Sequence, residues 1–357
     1  MLRRELRPSP SQAMTYLSPL FALLLTIVVA TMLFIALDKD PLRGLQIFLH
    51  EPWNGPRAIS ELLLKATPLI LCACGLALCY RANVWNIGAE GQFLLGAIAA
   101  GGVAMWFTMN QIVIGQWPFM LVAIIAGALG GMFWSSIVAW LRDRFSANEI
   151  LVSLMLVYVA NQLLALLMFG AWKDPKGHNF PQTVSFDAAT AIPRIIASYR
   201  LHWGLVFALL VAGVMWLFMF RSFRGFQLQV GGMAPAAARY AGFSARQSLW
   251  IALLVSGALA GVAGAFEAVG PMGQLTPYVS TGYGFTAIIV AYVGRLNPIG
   301  CILASLLLSM FVIGGQLAQS RIGLPSALSG VFQGVLLFSL LVFDTLIYYR
   351  LRWGVNK

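Results

Sequence analysis

Asn83-Val84-Trp85-Asn86-Ile87-Gly88-Ala89-Glu90-Gly91-Gln92 lies between two strongly apolar runs, Leu62–Tyr80 and Phe93–Phe107. It holds two Asn, one Glu, one Gln and two Gly, a concentration of polar groups between apolar runs that the chain does not repeat. An ionisable side chain inside a membrane span costs roughly 2.5–3.5 kcal/mol on insertion scales, so it marks a functional position. The glycines permit a broken helix, which a bilayer tolerates only where the backbone is buried in protein or faces water. We read the stretch as part of a solute pathway, with the other spans arranged around it. The competing reading is a tight turn between two helices, with Glu90 paired internally.

Composition supplies the bilayer. The 357 residues are 60% hydrophobic and 10% charged, against about 25% charged in soluble domains. Mean hydropathy is +0.82. One soluble core cannot hide that much apolar surface, so the chain is an integral membrane protein. Its runs of ~20 apolar residues are the length of spanning helices, not of barrel strands. The net charge of +11 would suggest nucleic acid in a soluble protein. Here the arginines cluster at the ends of apolar runs, as topology signals do, and no basic, aromatic-interleaved surface for nucleic acid is present. Cys72, Cys74, Cys79 and Cys301 lack metal-ligand spacing and read as small buried hydrophobes. His50, His178 and His202 are too scattered for a metal site.

Taken in order, residues 1–15 form a basic cytoplasmic tail. Tyr16–Leu37 is the first span, too long for a signal-peptide core. Asp38–Glu61 is an external loop whose Leu42–Leu49 part suits a short interfacial helix. Further spans are Leu62–Tyr80, Trp85–Phe107, Pro118–Leu141, Glu149–Gly170, Trp203–Phe220, Ser248–Val269, the short Gly284–Val293, Ile299–Ile313 and Leu324–Tyr348. Asn148 and Glu149 suit the start of a helix. Residues 171–202 form the longest external loop and residues 221–247 the longest internal one.

The expected fold is therefore an all-α polytopic membrane protein with about ten transmembrane helices and both termini cytoplasmic. The whole chain, residues 1–357, forms a single transmembrane domain. Charge supports the orientation: fourteen Lys and Arg, Lys357 among them, fall in internal segments and nine, Lys65 included, fall outside. Only two acids are internal against six external. Gly127-x-x-x-Gly131, Gly257-x-x-x-Gly261 and Gly330-x-x-x-Gly334 are small-residue faces for close helix packing.

The chain has no G-x-x-x-x-G-K-[ST] phosphate loop and no credible Ser/His/Asp or Cys/His set, so it is not read as an enzyme. Besides Glu90, polar groups in spans are Glu149, Asn161, Gln162, Glu267, Gln316, Gln333 and Asp344. Glu149 and Asp344, near cytoplasmic ends, are expected to face water or an arginine. Glu267 has two equal readings, lining a cavity or pairing internally. The set contains neither a close carboxylate run for proton relay nor an ion filter.

In the internal loop, Gly231-Gly232 is expected to be a turn. Pro235 suits a first helical turn, Ala236-Ala237-Ala238-Arg239-Tyr240-Ala241 is a helix former and Gly242 is a ready cap. A two-turn helix there is too short to stand alone. It makes sense if it docks into a groove on another protein; the competing reading is an ordinary connecting helix on the membrane surface.

At these two stretches the chain resembles the inner-membrane permease subunits of ABC importers, the ribose and branched-chain amino acid branch. It is most similar to the nucleoside and simple-sugar permeases. Asn86-Ile87-Gly88-Ala89-Glu90-Gly91-Gln92, preceded by Pro68-Leu69-Ile70-Leu71, is similar to their signature. Gly231-Gly232 to Gly242, followed by Ser256-Gly257-Ala258-Leu259-Ala260-Gly261-Val262-Ala263-Gly264, resembles their coupling segment and next span. Relatives commonly carry Gly just after the position of Arg81, where this chain reads Ala82-Asn83-Val84-Trp85. The resemblance implies two inverted five-helix halves in a bacterial inner membrane. It also implies ATP-binding cassette ATPase subunits as partners, a second permease and an extracytoplasmic solute-binding protein. ATP and Mg would sit on the partner subunit, with no cofactor on this chain. Asn83, Asn86, Glu90, Gln92 and Glu267 are then the expected pathway residues for a small polar solute. Gly232, Pro235, Ala236, Ala237, Arg239, Tyr240 and Gly242 are the expected coupling residues. The alternative is a stand-alone secondary transporter with a coupling-ion site at Glu90 and Glu267.

Overall fold

The computed structural model describes residues 2–7, 9, 11–177, 180–325 and 327–353. His178 and Lys357, used above, lie outside the described residues. The elements are β1 (Leu2–Leu6), α1 (Gln12–Ala36), α2 (Pro41–Leu49), α3 (Pro56–Arg81), α4 (Ala89–Met109), α5 (Gln116–Phe145), α6 (Glu149–Phe169) and α7 (Gly204–Arg221). They continue with α8 (Phe223–Met233), α9 (Pro235–Tyr240), α10 (Ala245–Glu267), α11 (Tyr283–Val293), α12 (Pro298–Ile322), α13 (Leu328–Tyr348) and β2 (Tyr349–Trp353). Among the described residues, nine helices are long and apolar enough to cross a membrane; α11 is apolar but has only 11 residues.

The chain forms two compact units, Met1–Leu62 with Leu307–Lys357, and Leu63–Leu306. In the first, α1 packs along α13. Ser18 on α1 donates to Asp344 at 2.6 Å. The amphipathic α2 buries Ile47 and Phe48, and Phe48 and Phe34 pack edge-on against Phe332 at 5.2 and 5.8 Å. Glu51 pairs with Arg321 at 2.6 Å. The chain ends pair as an antiparallel ribbon, Leu6 opposite Tyr349 and Leu2 opposite Trp353. Tyr349-Arg350-Leu351-Arg352-Trp353 alternates apolar and basic residues, a period of two that spells strand.

The second unit is built on α4, α5 and α10. A Cβ on Gly131 would overlap the carbonyl of Gly257, and one on Gly261 would overlap that of Gly127. The small faces of α5 and α10 therefore pack on each other, backbone to backbone. Gly330 and Gly334 have nothing within 4 Å of an added Cβ, so the third small-residue pair is not a packing face in this chain. Asn148 caps α6, accepting from the N–H of Ile150 at 2.9 Å.

Candidate functional site

The span expected to begin at Trp85 begins at Ala89 instead. Residues 84–87 lie outside any helix or strand, and Val84 and Asn86 are buried. Unpaired backbone groups are costly in such a place, and local side chains meet them. Ile87 N–H donates to Ser153 Oγ at 3.2 Å and Gly88 N–H to Asn86 Oδ1 at 3.0 Å. Tyr80 donates its hydroxyl to the carbonyl of Asn86 at 3.1 Å. Asn86 and Gln92 exchange amide hydrogen bonds at 3.0 and 3.1 Å, and Asn86 also donates to Ser256 on α10 at 3.1 Å. This knot holds a short non-helical segment inside a helical bundle.

Glu90 is buried two residues into α4. Its Oε2 accepts the backbone N–H of Gly284 at 2.6 Å. The Gly284 N–H is one of the free donors at the start of α11, where the helix dipole favours an anion. The fit is tight, because a Cβ on Gly284 would overlap the backbone of Glu90. Glu90 therefore pins the start of α11 against the start of α4.

Glu267, the last residue of α10, pairs with Lys65 at 3.0 Å; their side chains are 4% and 16% exposed. Lys65 also donates to the Tyr283 hydroxyl at 2.6 Å, and that hydroxyl donates to Glu267 at 3.3 Å. Of the two readings of Glu267, internal pairing describes this geometry. Adjacent residues of α11, Tyr283 and Gly284, thus hold the two buried carboxylates. Asn83 stands apart from them. It is left-handed (φ 55°) and accepts from the Trp85 indole at 3.2 Å.

At the opposite end of α10, Gly231-Gly232 is not a turn but the last part of α8. Ser222 caps that helix, accepting from Gly225 N–H at 2.9 Å, and the cap carries it past the paired glycines. Gly232 lies against the carbonyl of Arg81 and the backbone of Ala82 and Asn83, where a Cβ would overlap. The short helix α9 runs from Pro235 to Tyr240 as expected. It ends with Gly242 at φ 76°. Gly242 N–H bonds Arg239 O at 3.0 Å and Phe243 N–H bonds Ala238 O at 2.9 Å, a Schellman cap. Ala236 and Ala237 are exposed, and Tyr240 is 97% exposed. A cleft of about 300 Å³ beneath α9 is lined by Asn83, Arg142, Pro235, Ala238, Arg239 and Phe243.

The family model for the permease component of branched-chain amino acid transport systems matches residues 58–341. The chain belongs to this permease family. It is 31% identical to a glucose ABC transporter permease protein of Haloferax volcanii, over 96% of this chain and 92% of that one. It is 30% identical to a guanosine ABC transporter permease protein of Bacillus subtilis, covering 87% and 88%. It is 27% identical to a nucleoside ABC transporter permease protein of Lactococcus lactis, covering 91% and 90%. The chain is a permease subunit of an ABC importer and a multi-pass membrane protein.

In this permease the expected pathway residues other than Asn83 fall into three groups. Asn86 and Gln92 bind each other, Glu90 binds α11, and Glu267 binds Lys65. Sequence reasoning missed Lys65, Tyr283, Ser153 and Ser256. Lys65 was placed with the external charges, although it sits four residues inside an apolar run; that position was the available signal. Glu149, expected to meet water or an arginine, meets Arg142.

Proposed function

We propose that this permease carries a small neutral polar solute, a nucleoside or a simple sugar, across a bacterial inner membrane. Its motion comes from ATP-binding cassette ATPase subunits, and ATP and Mg are bound there. A second permease subunit and an extracytoplasmic solute-binding protein complete the transporter. Both termini are cytoplasmic, and the chain forms one transmembrane domain of ten crossings in two inverted five-helix halves, α11 serving as the short one.

The observation that carries the reading is the placement of α8 and α9. Tyr240 projects into solvent from a firmly capped two-turn helix. Gly232, just before it, lies on the turn that leads into the Asn86–Gln92 knot and Glu90. A partner gripping Tyr240, Arg239, Ala236 and Ala237 therefore acts on the backbone that borders the pathway. In this mechanism Asn86 and Gln92 hold the wall, and Glu90 and Glu267 keep α11 in place beside the solute. Alternating access follows from tilting these elements. The names of the guanosine, nucleoside and glucose relatives support the solute class. A stand-alone ion-coupled carrier is not favoured, since Glu90 and Glu267 are both occupied by protein donors.

The test is co-purification followed by reconstitution. The permease brings down an ATPase and, assembled with it, the second permease and the solute-binding protein, takes up radiolabelled guanosine or glucose only when ATP is supplied. Arg239→Glu or Tyr240→Ala leaves the permease folded and stops uptake. Uphill transport by the permease alone, or undiminished uptake in both variants, would overturn the reading.

A further inference from the structure

We propose that Arg81 is the positioning residue that passes movement of the α8–α9 segment to the half-length helix α11. This rests on the coupling role of that segment proposed above.

Arg81 closes α3 and touches three other parts of the same unit. Its Nε donates to the carbonyl of Leu296 at 2.8 Å. Its guanidinium lies over the Phe220 ring on α7, 4.4 Å from the centroid. Its Nη1 reaches Gln229 Oε1 on α8 at 3.5 Å. Its own carbonyl lies against Gly232, where no Cβ fits. A planar guanidinium can donate along its edge while its face covers a ring; an ammonium cannot do both.

The far end of this contact is a constrained turn. Arg295 and Leu296 have φ of 59° and 52°, two successive side-chain-bearing residues in the left-handed region. Such conformations persist only where neighbours over-determine them, and they cluster at switch regions. The turn is tied back to the last turn of α11: Leu296 N–H bonds Ala291 O at 2.8 Å and Arg295 N–H bonds Tyr292 O at 3.0 Å. Tyr80, next to Arg81, stacks on Tyr292 at 5.4 Å. Helix α11 is thus a short rod. Arg81 and Tyr80 hold its end, and Glu90 and Lys65 hold its start through Gly284 and Tyr283. Moving α8 against α3 displaces the residue that holds the Leu296 carbonyl, and the rod must follow or let go.

The experiment uses the permease assembled with its ATPase and second permease in proteoliposomes, with the solute-binding protein supplied. Phe285→Cys, on the first turn of α11 and 40% exposed, serves as a reporter; the four native cysteines are buried. Labelling by N-ethylmaleimide is timed with and without ATP plus vanadate. Guanosine uptake per ATP hydrolysed is measured on the same assembled complexes. The reporter alone shows an ATP-dependent change in labelling rate. Arg81→Met removes that change and lowers uptake per ATP by about tenfold, within the ordinary range of coupling between sites. Arg144→Met, exposed at the same end, alters neither. A merely structural arginine would reduce the amount of assembled complex but not uptake per ATP. If Arg81→Met does not assemble, Arg81→Lys decides, because lysine keeps the charge but cannot make all three contacts. A wild-type labelling change and uptake ratio in the assembled variant would overturn the proposal, as would a reporter that never responds to ATP. Failure of any ATPase to co-purify would instead overturn the underlying coupling reading.

Discussion

The carboxylate of Glu90 on α4 accepts the backbone N–H of Gly284 at 2.6 Å, joining residues 194 positions apart at the starts of two helices. Glu90→Gln keeps an acceptor but loses the charge that suits a helix N-terminus, a loss of about 1 kcal/mol. Glu90→Ala leaves the buried Gly284 N–H without a partner and loses about 2–3 kcal/mol. Gly284→Ala is the harshest of the three, because its Cβ meets the backbone of Glu90. Thermal unfolding of the purified permease should rank them in that order. An unchanged midpoint for Glu90→Ala would show that α11 does not depend on this contact.

Lys65 and Glu267 form a buried pair, so removing one partner is worse than removing both. Lys65→Met strands a carboxylate and is expected to destabilise by about 3–5 kcal/mol, while Lys65→Met with Glu267→Gln loses less. Tyr283→Phe removes one hydroxyl from the same cluster, about 1 kcal/mol. A double-mutant cycle on thermal stability tests this. Strict additivity of Lys65→Met and Glu267→Gln would mean that the two do not interact.

Two glycines in similar sequence patterns should respond in opposite ways. Gly261→Ala drives a methyl into the carbonyl of Gly127 on α5 and should abolish recovery of folded permease. Gly334→Ala meets open space within a helix and should be neutral or stabilising by roughly 0.5–1 kcal/mol. Yield and thermal midpoint after detergent extraction separate the cases.

His202 ends the loop before α7, outside the spans. It accepts the Gly204 N–H on Nδ1 at 3.0 Å and packs on Phe266. Burial pulls its pKa down from 6.5 to about 4. The unfolded chain then binds a proton more readily than the folded one, so stability is full above pH 6.5 and is lost as pH falls toward 4. His202→Gln should flatten this part of the profile. The thermal midpoint between pH 7.5 and 4.5, followed in both proteins, checks it; parallel curves would exclude His202 as the source.

The apolar runs, the arginines at their ends, the capping Asn148 and the Pro235-to-Gly242 helix are local properties. A span forms because its own twenty residues are apolar and hydrogen-bond within themselves, and a cap forms from neighbours two to five positions away. The sequence by itself therefore determined the helical membrane architecture, the position of the polar break and the exposed short helix. The Asn-Ile-Gly-Ala-Glu-Gly-Gln stretch pointed to the family. Tertiary structure alone decided which groups meet. It placed Lys65 against Glu267, 202 residues away, closed Asn86 on Gln92 and set Glu90 on α11. It faced the small residues of α5 with those of α10 but left those of α13 open, and it carried Ser222's helix through Gly231-Gly232. A buried polar group takes whichever partner the packing brings within hydrogen-bond reach. That choice depends on distances between helices, which no local pattern of residues encodes.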